Sequence, residues 1–186
     1  MVVFDATILL ALLHPGRTPP RHPETGEPIE GFRERIDYLV SSLEKDSVKI
    51  IIPTPALSEV LVRADDAAGR YLDMINSAAV FRPVPFDARC AVEVAEMTRN
   101  ALDAGDKRHG SDATYAKIKY DRQIVATAKV EGAKIIYSDD RGVYNLGARN
   151  ELTVLRIADL PLPPENPQTS LQLGTENEEA KAETTD

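Results

Sequence analysis

The chain has few residues of the types that support disulfide, thiolate or histidine chemistry. Its 186 residues include one cysteine, Cys90, and three histidines that lie far apart, His14, His22 and His109. A single cysteine excludes an internal disulfide framework and a multi-cysteine zinc site. The scattered histidines exclude a histidine-rich centre, so a bound metal would have to be held by carboxylates. We therefore expect a protein of the reducing cytoplasm.

Aromatic residues and long apolar runs are also scarce. There is no tryptophan and aromatic residues make up 5% of the chain, so we do not expect an extended surface for base stacking. The mean hydropathy is −0.28, and no apolar run approaches the ~20 residues of a membrane span. The apolar residues 1–13 are interrupted by Asp5 and lack a basic leader and a cleavage site, unlike a secretory signal. We expect a soluble chain without membrane contact.

The net charge of −8 is unevenly distributed. Residues 161–186 contain six acids and one base, which leaves 21 bases against 24 acids in residues 1–160. Such a nearly neutral body can still carry a local basic face that binds phosphates. The last segment is rich in proline and acid and poor in apolar residues. We therefore predict one domain over 1–160 and an acidic tail over 161–186 that is disordered from about residue 165.

Five short apolar and β-branched segments are typical of strands buried on both faces. They lie at residues 2–4, 48–52, 79–84, 133–138 and 152–157. Helical patterns lie at residues 6–13, 30–45, 55–64, 66–77, 87–104 and 113–131. Half of residues 15–28 are proline or glycine, which predicts an irregular excursion between two helices. Alternating strands and helices predict an α/β fold with a mainly parallel sheet.

Acidic residues follow two of the predicted strands, where an ordinary surface charge would not be tolerated. Asp5 directly follows the first strand, and ligands of open parallel sheets bind at this end of the strands. The alternative for Asp5 is an N-cap of the next helix. Asp139 and Asp140 follow the fourth strand in the same way, and the alternative for them is a turn before Gly142.

Two further acids lie on predicted helices. The neighbours of Glu59 are apolar, and the helical periodicity favours a solvated side chain over one that reaches toward Asp5. Asp121 shares its helix stripe with apolar residues and therefore needs a partner, for which Lys117 and Arg122 are candidates. Clustered carboxylates repel one another unless a hard cation neutralises them. The combination suggests Mg²⁺ or Mn²⁺ and a metal-activated water that attacks phosphorus.

Four segments combine these acids with apolar strands and helices. They are FDATILLALL at 4–13, TPALSEVL at 54–61, KIKYDRQIVATAKVEGAKIIYSDD at 117–140 and LTVLRIADL at 152–160. Together they resemble a PIN domain, the metal-dependent ribonuclease fold that includes the VapC toxins of bacterial toxin–antitoxin pairs. The resemblance covers about residues 1–160, and it implies a three-layer α/β fold with a five-stranded parallel sheet in the order 3-2-1-4-5.

The resemblance also implies functional residues. The catalytic and metal-binding acids would be Asp5, Glu59, Asp121 and Asp140, with Asp139 as a further candidate metal ligand. Ser138 takes the hydroxyl position of the Thr/Ser-x-Asp motif of the family, and Thr7 takes the small hydroxyl position after the first aspartate. In the implied sheet order, Asp5 and Asp140 end neighbouring strands ~4.8 Å apart, which suits one bridging cation.

Basic residues that could hold an RNA backbone are present but diffuse. One group leads into the helix of Asp121 and comprises Lys107, Arg108, His109, Lys117, Lys119 and Arg122. A second group lies in or just after the excursion and comprises Arg17, Arg21, His22, Arg33 and Arg35. An ordinary solvated surface is the alternative for the first group. The resemblance implies RNA as the substrate, a cognate antitoxin as a partner, and a homodimer as a candidate assembly.

The leading hypothesis is an Mg²⁺- or Mn²⁺-dependent endoribonuclease that cleaves single-stranded or loop RNA, a VapC-like toxin. The alternative is a non-catalytic PIN-type module with an RNA-binding or regulatory role. The presence of all four acids argues against this alternative. An aspartate phosphatase or phospho-acceptor protein also has an aspartate after its first strand. Here, however, Thr7 replaces the second aspartate of the phosphatase pattern, and Glu59 would be unexplained.

Overall fold

The sheet of the protein is seen in a computed structural model that describes residues 1–14, 16–105 and 114–164. Its five strands are β1 (Val2–Phe4), β2 (Ile50–Pro53), β3 (Phe81–Val84), β4 (Ile135–Tyr137) and β5 (Thr153–Leu155). They are ordered β3-β2-β1-β4-β5, and each neighbouring pair is parallel. The α/β class, the five strands and their order are therefore confirmed.

Seven α-helices flank this sheet within the described ranges. They are α1 (Ala6–Leu13), α2 (Phe32–Lys45), α3 (Thr54–Ala64), α4 (Ala68–Ser77), α5 (Ala88–Asp103), α6 (Tyr115–Val130) and α7 (Arg141–Arg149). Short 3-10 turns cover Asp65–Ala67 and Ile157–Asp159. The first six helices agree with the sequence pattern to within a few residues. Helix α7 is absent from the sequence-based prediction, which is a correction.

The hydrophobic core lies along the sheet. All three residues of β1 and all four of β2 are buried, as expected for parallel strands covered on both faces. In β3, by contrast, Arg82 and Pro83 are exposed, which fits an edge strand because proline cannot donate to a sheet ladder. β1 and β2 are therefore the most completely buried strands of the sheet, and Asp5 directly follows the first of them.

The proline-rich segment connects α1 to α2, as predicted. Arg21 and Pro28 form an isolated antiparallel bridge, and the amide of Ile29 donates to the carbonyl oxygen of Pro20 at 2.9 Å. The guanidinium of Arg33 donates to two carbonyl oxygens at the end of α1, at 3.1 and 2.9 Å. The segment is thus closed on itself by backbone contacts, and Arg33 of α2 ties the helix that follows it to the end of α1.

Some of the predictions fall on residues outside the described ranges. Lys107, Arg108 and His109 lie outside the described ranges, and so does the predicted disordered tail from about residue 165. Within the ranges given above, no helix combines the length and the apolar character needed to cross a membrane.

Candidate active site

The first and fourth strands bring two polar residues together at their carboxyl ends. β1 pairs in parallel with β4, and the amide of Asp5 extends this ladder by donating to the carbonyl oxygen of Tyr137 at 3.1 Å. The hydroxyl of Ser138 then donates to Oδ2 of Asp5 at 2.7 Å. The end of the sheet at which parallel folds bind ligands therefore carries a buried carboxylate in contact with a hydroxyl.

Asp5 occupies the N-cap position of α1, but its side chain makes no capping hydrogen bond. Its Oδ2 instead accepts hydrogen bonds from Ser138 and from the hydroxyl of Thr7, the latter at 3.2 Å. Asp5 is 3% exposed. Burial raises the pKa of its carboxyl, the bond from Ser138 opposes this, and the negative charges of Asp140 and Glu59 add to the rise. The N-cap interpretation therefore describes its backbone and not its side chain.

Asp121 is buried on α6, close to the first turn of α7. It is 6% exposed, and burial together with the charge of Asp140 raises the pKa of Asp121 to about 7. A Cβ atom on Gly142 would overlap Oδ2 of Asp121. A side chain at position 142 would therefore displace the carboxylate, and glycine is required here for the close approach of α6 and α7.

Asp140 is the N-cap of α7 and has a fixed orientation. Its Oδ1 accepts hydrogen bonds from the amides of Gly142 at 2.6 Å and Val143 at 3.2 Å. Its own amide donates to the hydroxyl of Ser138 at 3.0 Å. Ser138 therefore connects the two aspartates: its hydroxyl accepts a hydrogen bond from the amide of Asp140 and donates one to the carboxylate of Asp5.

Lys117 reaches into this group of acids from the first turn of α6. Its Nζ is hydrogen-bonded to Oδ2 of Asp140 and lies 4.0 Å from Oδ1 of Asp121. Burial lowers the pKa of Lys117, but the bond to Asp140 and the charge of Asp121 outweigh this, so that the pKa is raised. Lys117 is therefore one charged partner of Asp121, as the sequence analysis considered.

Glu59 approaches the same region from α3. Its side chain is 42% exposed, and its Oε1 forms an ion pair with Nη2 of Arg63 at 2.8 Å. The sequence pattern favoured a solvated glutamate, and the side chain is indeed half-exposed. It nevertheless lines the same cavity as Asp5.

We call this cavity, which has a volume of about 450 Å³, the acid cavity. The residues that line it include Asp5, Thr7, Glu59, Lys117, Asp121 and Asp140. All four acids that the family resemblance implies are thus brought to one place from β1, α3, α6 and the start of α7. The burial of Asp5 and Asp121 and the rise in their pKa values show that the cluster is costly for the protein in the absence of a neutralising charge.

Three residues at the mouth of the acid cavity were missed in the sequence analysis. Arg63 lies one helical turn after Glu59, a spacing at which an ion pair is expected. Tyr120 immediately precedes Asp121, and Val62 is on the face of α3 that carries Glu59. Tyr120 is 48% exposed and Val62 is 83% exposed. The spacing of Glu59 and Arg63 is a signal that the sequence offered, whereas the exposure of Tyr120 and Val62 is visible only in the structure.

Asp139 does not face the acid cavity. Its Oδ1 accepts a hydrogen bond from the amide of Ile157 at 2.9 Å, and its amide donates to the hydroxyl of Thr7 at 3.0 Å. Burial raises the pKa of Asp139, and the amide of Ile157 and the charge of Arg156 oppose the rise. Its side chain therefore links the segment that follows β5 to the end of β4.

The lysines and arginines that were predicted to bind RNA lie in different environments. Lys119 is exposed on α6, and Lys117 is exposed in part but bonded to Asp140. Arg122 is only 3% exposed. The side chain of Arg122 is therefore buried, and its role as an RNA contact stays a prediction. Periodicity alone did not reveal this burial, because α6 is covered on more than one side.

The side chains around the acid cavity fit a hard divalent cation in their chemistry. In the described part of the chain, no three or more His, Cys, Asp and Glu side chains form a group arranged to hold a metal ion. The cavity nevertheless offers four carboxylates, which are preferred ligands of Mg²⁺ and Mn²⁺. Oδ2 of Asp140 is held by Lys117, so this ammonium group must move before that oxygen can bind a cation.

Comparison with known proteins gives similarity at the level of structure. No family model and no curated protein sequence matches the chain. The structure of VapBC2 from Rickettsia felis bound to a promoter DNA fragment is similar with a TM-score of 0.56 and 15% identity, over 84% of this chain and 98% of that chain. The structure of FitAB bound to a DNA fragment gives a TM-score of 0.54 and 18% identity, over 87% and 98% of the two chains.

VapC20 from Mycobacterium tuberculosis, described as a sarcin-ricin loop cleaving toxin, is also similar. Its TM-score is 0.51 at 13% identity, over 82% of this chain and 99% of that chain. At such low identity the similarity concerns the fold. The five-stranded parallel sheet in the order 3-2-1-4-5 is the PIN-like fold of these VapC-type structures.

Proposed function

We propose that the protein is a divalent-metal-dependent endoribonuclease that cleaves single-stranded or loop RNA, a VapC-like toxin. The observation that carries this proposal is the convergence of Asp5, Glu59, Asp121 and Asp140 on one cavity. Asp121 is buried there with its pKa raised to about 7, an arrangement that a divalent cation would relieve. The similarity in fold to a toxin that cleaves an RNA loop supports the choice of substrate.

In this proposal the four carboxylates would hold Mg²⁺ or Mn²⁺, an ion that supplies an activated water and offsets the charge that develops on the phosphate. The rest of the site positions these acids. Thr7 and Ser138 orient Asp5 by donating to its Oδ2. The first amides of α7 orient Asp140. Carboxylates that are held in this way need little rearrangement before they bind a ligand.

Lys117 has a second role in the proposed mechanism. It neutralises Asp140 and lies close to Asp121 in the structure described here. If Asp140 held a cation, the ammonium group of Lys117 would no longer be paired with that carboxylate and would lie free at the lining of the acid cavity. It would then be available to hold a phosphate of the RNA. Lys107 and Arg108 remain predicted RNA contacts of the segment before α6.

A non-catalytic RNA-binding module is the second candidate. The contact that favours it is the same Lys117–Asp140 pair, because it neutralises one of the four acids from within the chain. In such a protein Lys117 would stay in place, and the acid cavity would have a structural role only.

We also propose that the protein acts in the cytoplasm with a cognate antitoxin. The support for this partner is that VapBC2 and FitAB, which are similar in fold, are two-component assemblies seen on DNA. A homodimer remains a prediction of the family resemblance. Co-purification of the chain with the product of an adjacent small gene would support the antitoxin, and its failure with every neighbouring gene product would contradict it.

The deciding experiment is an RNA cleavage assay with the purified full chain. Single-stranded and hairpin RNA are incubated with Mg²⁺ or Mn²⁺, with and without excess EDTA. We expect cleavage within single-stranded or loop regions that stops in EDTA. Undiminished cleavage in EDTA would contradict the metal-dependent mechanism. RNA binding without cleavage under every metal condition would favour the non-catalytic module.

A further inference from the structure

A second, smaller cavity adjoins the acid cavity. It has a volume of about 210 Å³ and is lined by Leu10, His14, Arg17 and Arg63. Arg63 lines both cavities. In addition, Nη1 of Arg17 lies 3.5 Å from the carbonyl oxygen of Thr7, whose side chain belongs to the acid cavity. We call the smaller cavity the arginine pocket, and it is separated from the acid cavity by the width of one side chain.

The arginine pocket brings two positive charges together. Burial and the charge of Arg63 lower the pKa of Arg17, although the charge of Asp139 opposes this. Arg63 is paired with Glu59 on the side of the acid cavity and is 61% exposed. Arg17 forms no ion pair with any of the described residues. Two guanidinium groups that repel each other across a pocket are stabilised by an anion between them, and a phosphate matches their donors in shape.

The other two residues of the pocket suit a small ligand. The ring of His14 is fixed, because its Nδ1 lies 2.9 Å from the hydroxyl oxygen of Tyr71. Leu10 is 7% exposed and supplies an apolar wall. The pocket is smaller than the ~300 Å³ at which sites for drug-sized molecules begin. It therefore has room for a phosphate group and not for a complete nucleotide.

We propose that the arginine pocket binds a backbone phosphate of the RNA, adjacent to the phosphodiester that is cleaved at the acid cavity. The inference rests on the proposed function of the acid cavity. It also explains how RNA approaches a site that is lined by carboxylates, which repel phosphates. The RNA strand runs from the arginine pocket, past Arg63, across the acid cavity and toward Lys119 on α6.

The test measures RNA affinity without cleavage. Binding of a labelled 12-nucleotide single-stranded RNA is followed by fluorescence anisotropy in EDTA over a series of salt concentrations. For Arg17→Gln we expect several-fold weaker binding at low salt and a salt dependence that is flatter by about 0.7, the loss of one phosphate contact. Arg17→Lys should restore the slope and only part of the affinity, because an ammonium group cannot form a bidentate contact.

The matched control is Arg99→Gln. Arg99 is exposed on α5 and lines neither cavity, so its replacement removes the same charge and should leave the slope unchanged. Circular dichroism establishes that each variant is folded. Wild-type affinity and slope in folded Arg17→Gln would overturn the proposal. Equal losses in Arg17→Gln and Arg99→Gln would also overturn it, because they would reflect net charge alone.

Two competition experiments, one with pyrophosphate and one with polyglutamate, identify the ligand of the arginine pocket. Inorganic pyrophosphate should displace RNA from the wild type more effectively than from Arg17→Gln. If pyrophosphate binding depends on Arg17 and RNA binding does not, the pocket is a site for free anions and the proposal fails. If binding of polyglutamate depends on Arg17 and RNA binding does not, an acidic protein segment is the ligand and the proposal fails as well.

The binding assay separates this inference from the proposed function. If the wild type cleaves no RNA but loses RNA affinity in Arg17→Gln, the nuclease proposal fails and the phosphate site stands. If the wild type cleaves RNA and Arg17→Gln binds and cleaves as well as the wild type, the nuclease proposal stands and the phosphate site fails.

Discussion

The acid cavity and the arginine pocket lie side by side, and the chain builds them in different ways. Asp5, Asp121 and Asp140 come from the ends or the buried faces of regular elements, and their carboxylates are held by hydrogen bonds or by close packing. Arg17 comes from the irregular segment after α1, and Arg63 projects from α3 with 61% of its side chain exposed. The three aspartates of the acid cavity are thus held in place, whereas the two arginines of the arginine pocket can adapt to a ligand.

The two cavities also carry opposite charges, and in each of them burial destabilises the charged groups. It raises the pKa values of Asp5 and Asp121 in one cavity and lowers the pKa of Arg17 in the other. A ligand that combines a cation with a phosphate chain would relieve both. The comparison therefore predicts a division of work, in which the rigid acids determine the chemical step and the adaptable arginines contribute to affinity.

The largest effect is expected when a carboxylate of the acid cavity is neutralised. Asp5→Asn and Asp121→Asn should each lower the rate of RNA cleavage by about 100-fold or more, because each loses a ligand of the proposed cation. Both variants should remain folded by circular dichroism. Asp73→Asn, at an exposed position of α4, is the matched control and should cleave as the wild type does. Full activity of either cavity variant would remove that residue from the site.

A substitution at Gly142 tests whether the carboxylates of the acid cavity are held in fixed positions. In Gly142→Ala the added methyl group would overlap Oδ2 of Asp121 and crowd Oδ1 of Asp140. We expect a loss of stability of about 1–3 kcal/mol and a cleavage rate reduced by about 10-fold or more. Thermal unfolding and initial cleavage rates are the measurements.

The control for this change is Gly69→Ala in α4, where a Cβ atom would meet nothing within 4 Å. Alanine is favoured over glycine inside a helix, so this variant should gain about 0.5–1 kcal/mol. The same gain in Gly142→Ala would show that the side chain of Asp121 is not held against α7.

Helix α7 illustrates which part of the fold the sequence did not reveal. Its nine residues include Gly142 and Gly147, and glycine is a poor helix former. The helix exists because Asp140 caps its first amides and because Val143 and Leu146 are buried against the core. The cap is a local feature, but the burial of Val143 and Leu146 depends on tertiary packing. The strands, in contrast, are short apolar runs that their composition indicates, and β1 and β2 are indeed buried on both faces.

The acids of the site were predictable for a similar reason. Asp5 and Asp140 lie just after predicted apolar strands, the place at which ligands of open parallel sheets bind, although a cap or a turn was the alternative for each. Asp139 has the same sequence context but a different orientation, and only the structure shows its bond to Ile157. Arg63 and Arg17 lie far apart in sequence on ordinary surface positions. No local pattern indicates that they share a pocket.

The pH dependence of stability should distinguish the acid cavity from the rest of the molecule. The pKa of Asp121 is raised from 3.8 to about 7 in the folded protein, so between about pH 4 and pH 7 the folded state binds more protons than the unfolded state. Its contribution to stability is complete below pH 4 and is lost as the pH rises through 7. In EDTA the free energy of unfolding should therefore fall over this range.

Asp121→Asn should reduce this fall and be more stable than the wild type at pH 8, by on the order of 1–3 kcal/mol. Urea unfolding at pH 5 and pH 8 measures both quantities. A wild-type stability that rises with pH across the whole range, together with an unchanged slope in Asp121→Asn, would contradict the raised pKa.

Lys117 is the basic residue that pairs with Asp140 and Asp121 in the acid cavity. Its replacement tests whether it competes with a metal ion for Asp140. Lys117→Met takes the ammonium group away from Oδ2 of Asp140. Mn²⁺ then has no bound cation to displace, and we expect its dissociation constant in calorimetry to fall by about 3- to 10-fold. The metal-free variant should be less stable than the wild type, because the acids lose a counter-charge. In Lys119→Met, the neighbouring control, Mn²⁺ affinity should not change, and an equal affinity in both variants would contradict the competition.

The smallest effect is expected at Lys119, and it determines whether RNA crosses the acid cavity from one side to the other. Lys119 is exposed on α6, two residues before Asp121, whereas Arg17 lies on the side of α1 and α3. Lys119→Ala should flatten the salt dependence of RNA binding by about 0.7 and raise KM without changing kcat, since it removes a contact that does not depend on the transition state. Combined with Arg17→Gln, the two changes in slope should add, because the residues share no partner. If Lys119→Ala keeps the wild-type slope while Arg17→Gln flattens it, RNA reaches the acids over the arginine pocket alone, and the exposed face of α6 is not part of its path.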